Sequence, residues 1–224
     1  MTKSNKIAVV LAGCGVYDGA EIHESVFALW AIAAAGATYD IYAPDMQQHH
    51  VINHLNGQEM SEKRNVLVEA ARIARGNILP LSELDASKAD AILFPGGFGV
   101  AKNLCSFAVD GADCTVNPEV KRVVKDFHNA QEPIAALCIS PVLITKILGN
   151  TEVTIGSDKD TASAIETMGG KHVTTTHGEV IIDTSNKVVT TPCYMLDASV
   201  LQIADGAKNI VAALMKLLAP VQNH

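Results

Sequence analysis

Short apolar runs alternate with segments of helical periodicity along most of the chain. Apolar runs that are rich in β-branched residues, or that stop at glycine or proline, predict buried strands. Apolar positions that recur every three to four residues predict helices. The predicted strands are 6–12, 38–44, 89–97 and 134–137, and the predicted helices are 21–35, 62–75, 118–130, 141–148 and 198–218.

Two stretches depart from this alternation. Residues 46–60 are polar, and Asn56 and Gly57 are a hairpin signal within them, so they predict an excursion from the main fold. After Gly149 the chain carries four short strand candidates before its long helix, namely EVTIG, KHVTTT, EVIID and KVVTT.

Alternation of strands and helices is typical of an α/β fold, in which a parallel sheet is covered by helices on both faces. We expect a single domain over residues 1–224, since neither a repeat nor a linker interrupts the pattern. Such sheets bind ligands beyond the carboxyl ends of their strands. Three loops fall there: GCGVYDGAE after the first strand, PGGFG after the third and CISP after the fourth.

Composition and charge narrow the classes of function. Hydrophobic residues make up 48% of the chain and the net charge is −7, which argues against a nucleic-acid partner. The chain has neither a run of about 20 apolar residues nor a dense basic run, so we expect no membrane association and a cytoplasmic protein. Its five cysteines form no CxxC pair, so we predict neither a disulfide framework nor a metal site.

Cys138 lies between a predicted buried strand and the helix that follows it. It has two interpretations. Free cysteine is often a small core residue. A cysteine on a tight strand-to-helix turn can also be a nucleophile, and the N-terminus of the following helix is expected to lower its pKa.

The other two loops carry residues that suit a nucleophile. Gly96 and Gly97 lack side chains and would let backbone N–H groups approach an anion. Glu21 and Glu24 open a predicted helix, where a carboxylate either complements the helix dipole or exchanges a proton with a neighbouring cysteine. The glycines at 13 and 15 do not complete a dinucleotide-binding pattern, and we predict no cofactor.

The motifs GAEIHESV (19–26), FPGGFGVAKNL (94–104) and AALCISPVL (135–143) together resemble the PfpI and parkinsonism-associated deglycase superfamily. The stretch GCGVYDGAEIHE, the polar excursion and the LCISP turn resemble its enhancing-lycopene-biosynthesis (ElbB) subfamily, which is linked to isoprenoid synthesis. The resemblance covers nearly the whole chain. It implies a flavodoxin-like, class I glutamine amidotransferase-like fold.

The resemblance also implies roles for residues. It places the nucleophile on Cys138 and the carboxyl group that hydrogen-bonds the sulfur on Glu24. The pocket for an oxyanion falls on the N–H groups of Gly97 and Ile139, next to Gly96. It implies a cofactor-independent glyoxalase or deglycase that acts on a small dicarbonyl substrate, and a homodimer.

The chain departs from parts of the superfamily in two places. Ile139 stands where PfpI-type proteases carry histidine, which argues against peptidase activity. The sequence His177-Gly178-Glu179 matches the His-x-Glu relay of amidotransferases. However, only 38 residues separate His177 from Cys138. His177 therefore remains a candidate third group of the site. A cysteine-based redox sensor or regulatory protein, and a binding module without chemistry, are the alternative functions.

Overall fold

The computed structural model describes residues 4–219, which form eleven strands and seven α-helices. The strands are β1 (Lys6–Val10), β2 (Thr38–Ala43), β3 (Val51–Ile52), β4 (Glu59–Met60), β5 (Leu79–Pro80), β6 (Ala91–Phe94), β7 (Ile134–Leu137), β8 (Glu152–Val153), β9 (Lys171–His172), β10 (Ile181–Asp183) and β11 (Val188–Thr191). The helices are α1 (Ile22–Ala34), α2 (Val66–Ala74), α3 (Phe107–Asp110), α4 (Pro118–Asn129), α5 (Ser140–Leu148), α6 (Lys159–Thr167) and α7 (Val200–Leu218).

Seven strands form the central sheet in the order β10-β11-β7-β6-β1-β2-β5. All neighbours run parallel except β10 and β11, which pair antiparallel. The predicted parallel sheet is therefore confirmed, with one antiparallel edge strand. A tight turn joins β10 to β11, where the Asn186 N–H donates to Asp183 Oδ1 at 3.0 Å and Lys187 adopts φ 53°, and strands joined so closely must run antiparallel.

Helices cover both faces of this sheet, as the sequence predicts. Successive residues of β1 point to opposite faces, so that Ile7 and Val9 lie in one apolar core and Ala8 and Val10 in the other. Buried residues of α1, α2 and α7 complete the first core, and those of α4, α5 and α6 complete the second. The α/β prediction is confirmed.

Helix α1 forms where predicted but turns a different face to the interior. It buries Glu24, Ser25, Ala28, Ala31 and Ile32 and packs along α7. The predicted helix 21–35 carries Val26 and Trp30 at helical spacing, yet their exposed fractions are 48% and 51%. Small alanines let the two helices approach closely, and the buried face also has to carry Glu24 to the sheet edge.

Two smaller features concern the polar parts of the chain. The predicted hairpin is confirmed, since β3 and β4 pair antiparallel around Gly57, which adopts φ 74°. Helix α6 was not predicted, because its sequence KDTASAIET has a single buried residue, Ile165. Asp158 caps it by accepting a hydrogen bond from Thr161 N–H at 2.8 Å.

Within residues 4–219, no helix has the length and apolar character needed to cross a bilayer.

Candidate active site

The loops that follow β1 and β6 are joined by backbone hydrogen bonds at the carboxyl edge of the sheet. Phe98 N–H donates to Val16 O at 2.8 Å, and Gly99 N–H donates to Gly19 O at 2.9 Å. Glu21 N–H donates to Gly96 O at 2.9 Å and ties the start of α1 to the same loop. The predicted convergence of these loops is confirmed, and α1 is thereby fixed against the end of β6.

Cys138 occupies a sharp turn between β7 and α5. Its φ is 60°, an uncommon conformation for a residue other than glycine. The turn is held by Cys138 N–H, which donates to Thr191 O at 3.0 Å, and by Ser140 Oγ, which donates to Pro95 O at 2.7 Å. The side chain is only 6% exposed. The backbone strain directs it away from the strand and toward the converging loops.

Glu24 lies fully buried beneath this turn. Its Oε2 accepts from Gly96 N–H at 2.8 Å and its Oε1 accepts from Tyr194 N–H at 3.1 Å. Its carboxyl group also hydrogen-bonds the Cys138 side chain. Glu21 has a different task, because its Oε2 caps α1 by accepting from Glu24 N–H at 2.7 Å.

The pKa values of the pair follow from their burial. Burial raises the pKa of Glu24 to about 7, the charge of Glu21 adds to the rise, and the two backbone donors and Cys138 oppose it. Burial, and then the Glu24 carboxylate, raise the pKa of Cys138 well above its ordinary value. The expectation that the N-terminus of α5 lowers the thiol pKa is therefore wrong, because desolvation outweighs the local N–H donors.

Two backbone N–H groups nevertheless point at the sulfur. Those of Gly97 and Ile139 hydrogen-bond Cys138 and favour its thiolate. Gly97 adopts φ 99°, and a Cβ there would collide with Glu21 N and Gly19 O. Glycine is required at this position for both conformation and space.

Gly96 also has no space for a side chain, and there the lack of space bears directly on the contact between Glu24 and Cys138. A Cβ on Gly96 would lie 2.7 Å from Glu24 Oε2 and 2.8 Å from Cys138 Sγ, and it would overlap Cys138 Cβ. The bare Cα of Gly96 therefore allows the carboxyl group and the sulfur to meet.

A cavity of about 400 Å³ opens above Cys138. Most of its wall is apolar, and its charged residues are Glu21 and Asp158, without a lysine or arginine among the described residues that line it. The lining residues are Val16, Glu21, Gly97, Phe98, Ala101, Phe107, Ala108, Cys138, Ile139, Asp158, Thr161, Tyr194 and Met195. Cavities of this size accommodate small organic molecules.

His177 is exposed and does not line the cavity. The carboxylate of Glu179 accepts from the backbone and side chain of Thr176. The structure thus does not bring this histidine to the cysteine. Within residues 4–219, no three His, Cys, Asp or Glu side chains group closely enough to hold a metal ion.

Tyr194 is a site residue that the sequence argument missed. It lies in the 3-10 turn Cys193–Met195 after β11, lines the cavity, and its hydroxyl hydrogen-bonds His23 Nδ1 at 2.8 Å. The same reasoning about strand ends would have found it, because β11 runs parallel to β7 and ends at the same edge. Asp158 and Thr161 had no comparable signal, since α6 itself was not predicted.

The chain is closely similar to curated proteins of animals. It is 49% identical over 222 residues to the human glutamine amidotransferase-like class 1 domain-containing protein 3, mitochondrial, covering 95% of this chain and 83% of the human one. It is 38% identical to the zebrafish ES1 protein, mitochondrial, covering 96% and 87% of the two chains. The names of these relatives do not confirm the predicted cytoplasmic location. No family model matches the chain.

Among solved structures, an isoprenoid biosynthesis protein with an amidotransferase-like domain from Ehrlichia chaffeensis superposes with a TM-score of 0.91. It is 33% identical, and the match covers 96% of this chain and all of that one. A DJ-1 superfamily protein from Salmonella typhimurium superposes with a TM-score of 0.59 at 18% identity, covering 97% and 94% of the chains. At that identity the likeness concerns the fold alone.

Proposed function

Because the chain belongs to the family of glutamine amidotransferase-like class 1 domain and ES1 proteins, we propose that its cavity is the active site of a cofactor-independent glyoxalase. The proposal is carried by one observation, the buried hydrogen bond between Glu24 and Cys138 on the floor of the cavity. A nucleophile and a base in contact are what addition to a carbonyl requires. The substrate is glyoxal, methylglyoxal or a related dicarbonyl, including one already attached to an amine, as in a deglycase.

In the first step Cys138 attacks the aldehyde carbon. Because the resting thiol has a raised pKa, it must lose its proton as the carbon–sulfur bond forms, and Glu24, with a pKa of about 7, accepts that proton. The carbonyl oxygen gains negative charge, which the N–H groups of Gly97 and Ile139 beside the sulfur would stabilise. The product is a hemithioacetal.

The next steps move a proton and add water. Glu24 transfers the proton from the carbon bonded to sulfur to the neighbouring carbonyl carbon through an enediol, which converts the hemithioacetal to a thioester. Water attacks the thioester carbon, the carbon–sulfur bond breaks, and the thiol is regenerated with release of glycolate or lactate. The sequence requires neither a redox cofactor nor a metal, since one carbon is oxidised as its neighbour is reduced.

The lining of the cavity favours uncharged substrates. Glu21 and Asp158 are its charged residues, and hydrogen bonds from Thr161 lower the pKa of Asp158 and keep it ionised. A substrate that carries a carboxylate or phosphate would face these charges without a cation among the described lining residues. Phe98 and Phe107 provide apolar surface for a dicarbonyl larger than glyoxal.

The test is production of glycolate from glyoxal and lactate from methylglyoxal by the purified chain. Cys138→Ala is expected to abolish both, because the nucleophile is lost. Cys14→Ala is the matched control, since Cys14 is half-buried outside the cavity lining. Equal product formation by wild type and Cys138→Ala would refute the proposal.

A cysteine-based redox sensor is the second candidate. The adjacent carboxyl group of Glu24 would hydrogen-bond an oxidised sulfur. The raised pKa of Cys138 counts against rapid oxidation, because susceptibility follows the thiolate fraction. A gain of oxygen at Cys138 after mild peroxide, together with negligible dicarbonyl turnover, would favour this alternative.

The proposal includes an ElbB-type role near isoprenoid synthesis and a homodimer. The first is supported by the name of the solved Ehrlichia relative. The second is supported by an exposed apolar stripe on α1, formed by Ile22, Val26 and Trp30 at 42%, 48% and 51% exposure. Sedimentation of wild type and Trp30→Glu tests the dimer, which should dissociate in the variant.

A further inference from the structure

Two buried thiols outside the catalytic pair are in contact. Cys105 follows the π-helical turn Val100–Leu104 and Cys114 follows the 3-10 turn Gly111–Asp113. The two side chains lie within hydrogen-bond reach of each other, and Cys105 Sγ donates to Val100 O at 3.4 Å. Both are free cysteines, 5% and 2% exposed.

The backbone holds these two cysteines on adjacent antiparallel segments. Cys105 forms an isolated antiparallel bridge with Val116. Ser106 N–H donates to Thr115 O at 2.9 Å, and Thr115 N–H donates to Ser106 Oγ at 2.9 Å. The contact between the thiols is therefore fixed by neighbouring hydrogen bonds on both strands of the loop.

The segment between the cysteines forms part of the active-site wall. Phe107 and Ala108 line the cavity, and neither α3 nor the turn Gly111–Asp113 contains a buried residue. A short segment with so little burial opens locally at low cost in free energy. Opening gives a small oxidant access to the thiols beneath it.

Cys114 has the surroundings of a reactive thiol. Its contact with Cys105, and then the charge of Lys146, lower its pKa against the opposing effect of burial. Lys146 is held nearby, where its Nζ donates to Ala112 O at 2.7 Å. The contact with Cys114 and burial raise the pKa of Cys105, which stays protonated. These surroundings favour ionisation of Cys114 over that of Cys105.

We propose that Cys105 and Cys114 form a reversible disulfide under peroxide, which ties down the 106–113 segment at the wall of the active site. The Cys114 thiolate attacks one peroxide oxygen, the O–O bond breaks, and hydroxide leaves and takes up a proton as water. Cys105 then loses its proton and attacks the sulfenic sulfur, the S–S bond forms, and the S–O bond breaks to release a second water. Two thiols are oxidised by two electrons and one peroxide is reduced.

The disulfide makes the 106–113 segment a closed loop and opposes its local opening. Cavity residues Phe107 and Ala108 are then held in place, so that access to Cys138 depends on the redox state of a pair that takes no part in the chemistry. The disulfide itself does not depend on the proposed glyoxalase activity, although its effect on turnover does.

The experiment treats the purified chain with stoichiometric hydrogen peroxide, unfolds it and labels the remaining thiols with a maleimide. Wild type and Cys138→Ala are both expected to lose the mass of two hydrogens and to leave Cys105 and Cys114 unlabelled, with full labelling restored by dithiothreitol. Cys105→Ala and Cys114→Ala should each leave the remaining partner without this disulfide. Full labelling of both cysteines in oxidised wild type would overturn the proposal.

A second measurement addresses the wall of the site. Chymotrypsin cleavage after Phe107, analysed after reduction, is expected to slow several-fold on oxidation of Cys138→Ala, because native cleavage requires local opening. Equal rates before and after oxidation would overturn the claim that the disulfide restrains the segment. Both measurements are independent of glyoxalase turnover, so a failure of the proposed function is recognised separately.

Discussion

The carboxyl group of Glu24 hydrogen-bonds the thiol of Cys138 at a place where neither side chain is open to bulk water. Burial raises the pKa of both groups, and the Glu24 carboxylate raises that of Cys138 further, whereas the hydrogen bond from Cys138 lowers that of Glu24. In the proposed reaction, the proton of Cys138 would pass to Glu24 as a carbonyl reaches the sulfur.

The pH dependence of turnover should report Glu24. The carboxylate is the form that accepts the proton of Cys138, so kcat/KM should rise about tenfold per pH unit toward a plateau above pH about 7. Glu24→Gln should abolish this rising limb of the pH profile and lower the rate by a factor of about 10²–10⁴. Initial rates of methylglyoxal isomerisation from pH 5 to 9 measure both effects.

Glu21→Gln is the matched control for that profile. It removes the charge that raises the pKa of Glu24 but leaves the catalytic carboxyl group in place. The limb should remain and move to lower pH. A limb that persists unchanged in Glu24→Gln would contradict the assignment of the base.

The same pKa has a consequence for stability. The folded state binds the Glu24 proton more tightly than the unfolded state, so the stabilisation is complete below pH about 4.5 and is lost as the pH rises through about 7. The rise in pKa corresponds to about 3 kcal/mol at 1.36 kcal/mol per unit. Urea unfolding from pH 4 to 8 should show the decline in wild type, and the contribution should be absent from Glu24→Gln.

Gly96→Ala should damage activity more than it damages the fold. The new Cβ would force Glu24 Oε2 and Cys138 Sγ apart, at a cost of about 1–3 kcal/mol in stability. Turnover per folded molecule should fall steeply, because the contact between base and nucleophile is lost. Gly36→Ala is the control, since a Cβ there meets nothing within 4 Å and only its φ of 76° is strained. Normal turnover in Gly96→Ala would show that the close approach is dispensable.

The charge of the substrate should affect turnover strongly. Phenylglyoxal and para-carboxyphenylglyoxal differ by one carboxylate, which would face Glu21 and Asp158 in the cavity. We expect kcat/KM for the anionic compound to be lower by about tenfold or more, which corresponds to about 1.4 kcal/mol. Asp158→Asn should narrow the difference while keeping the cap of α6, because asparagine caps helices as well as aspartate does. An equal preference for both compounds would contradict the electrostatic argument.

Much of the architecture could be predicted from the sequence. Buried parallel strands are continuous apolar runs, and their carboxyl ends share one edge of the sheet, so the meeting of Cys138 with the loops after β1 and β6 follows from chain order. The resemblance then distinguished Glu24 from Glu21, and the structure places these residues in different contacts.

The features that were missed depend on packing across the fold. The pKa of Cys138 is raised because the thiol is deeply buried, and the depth of burial cannot be read from the local sequence. Helix α1 turns inward the face that packs against α7, and this face does not carry its largest apolar residues. The contact of Cys105 with Cys114 depends on how the 106–113 segment folds back.

The packing of α7 on α1 also affects how the protein is made. Helix α1, which carries Glu24, is synthesised early, whereas Tyr194 and α7 follow β11 near the end of the described residues. A nascent chain can form much of the sheet while α1 still lacks this helix and Glu24 lacks one of its two backbone donors. Glu24 therefore gains its full set of backbone donors beside Cys138 only late in translation, after Tyr194 has been made.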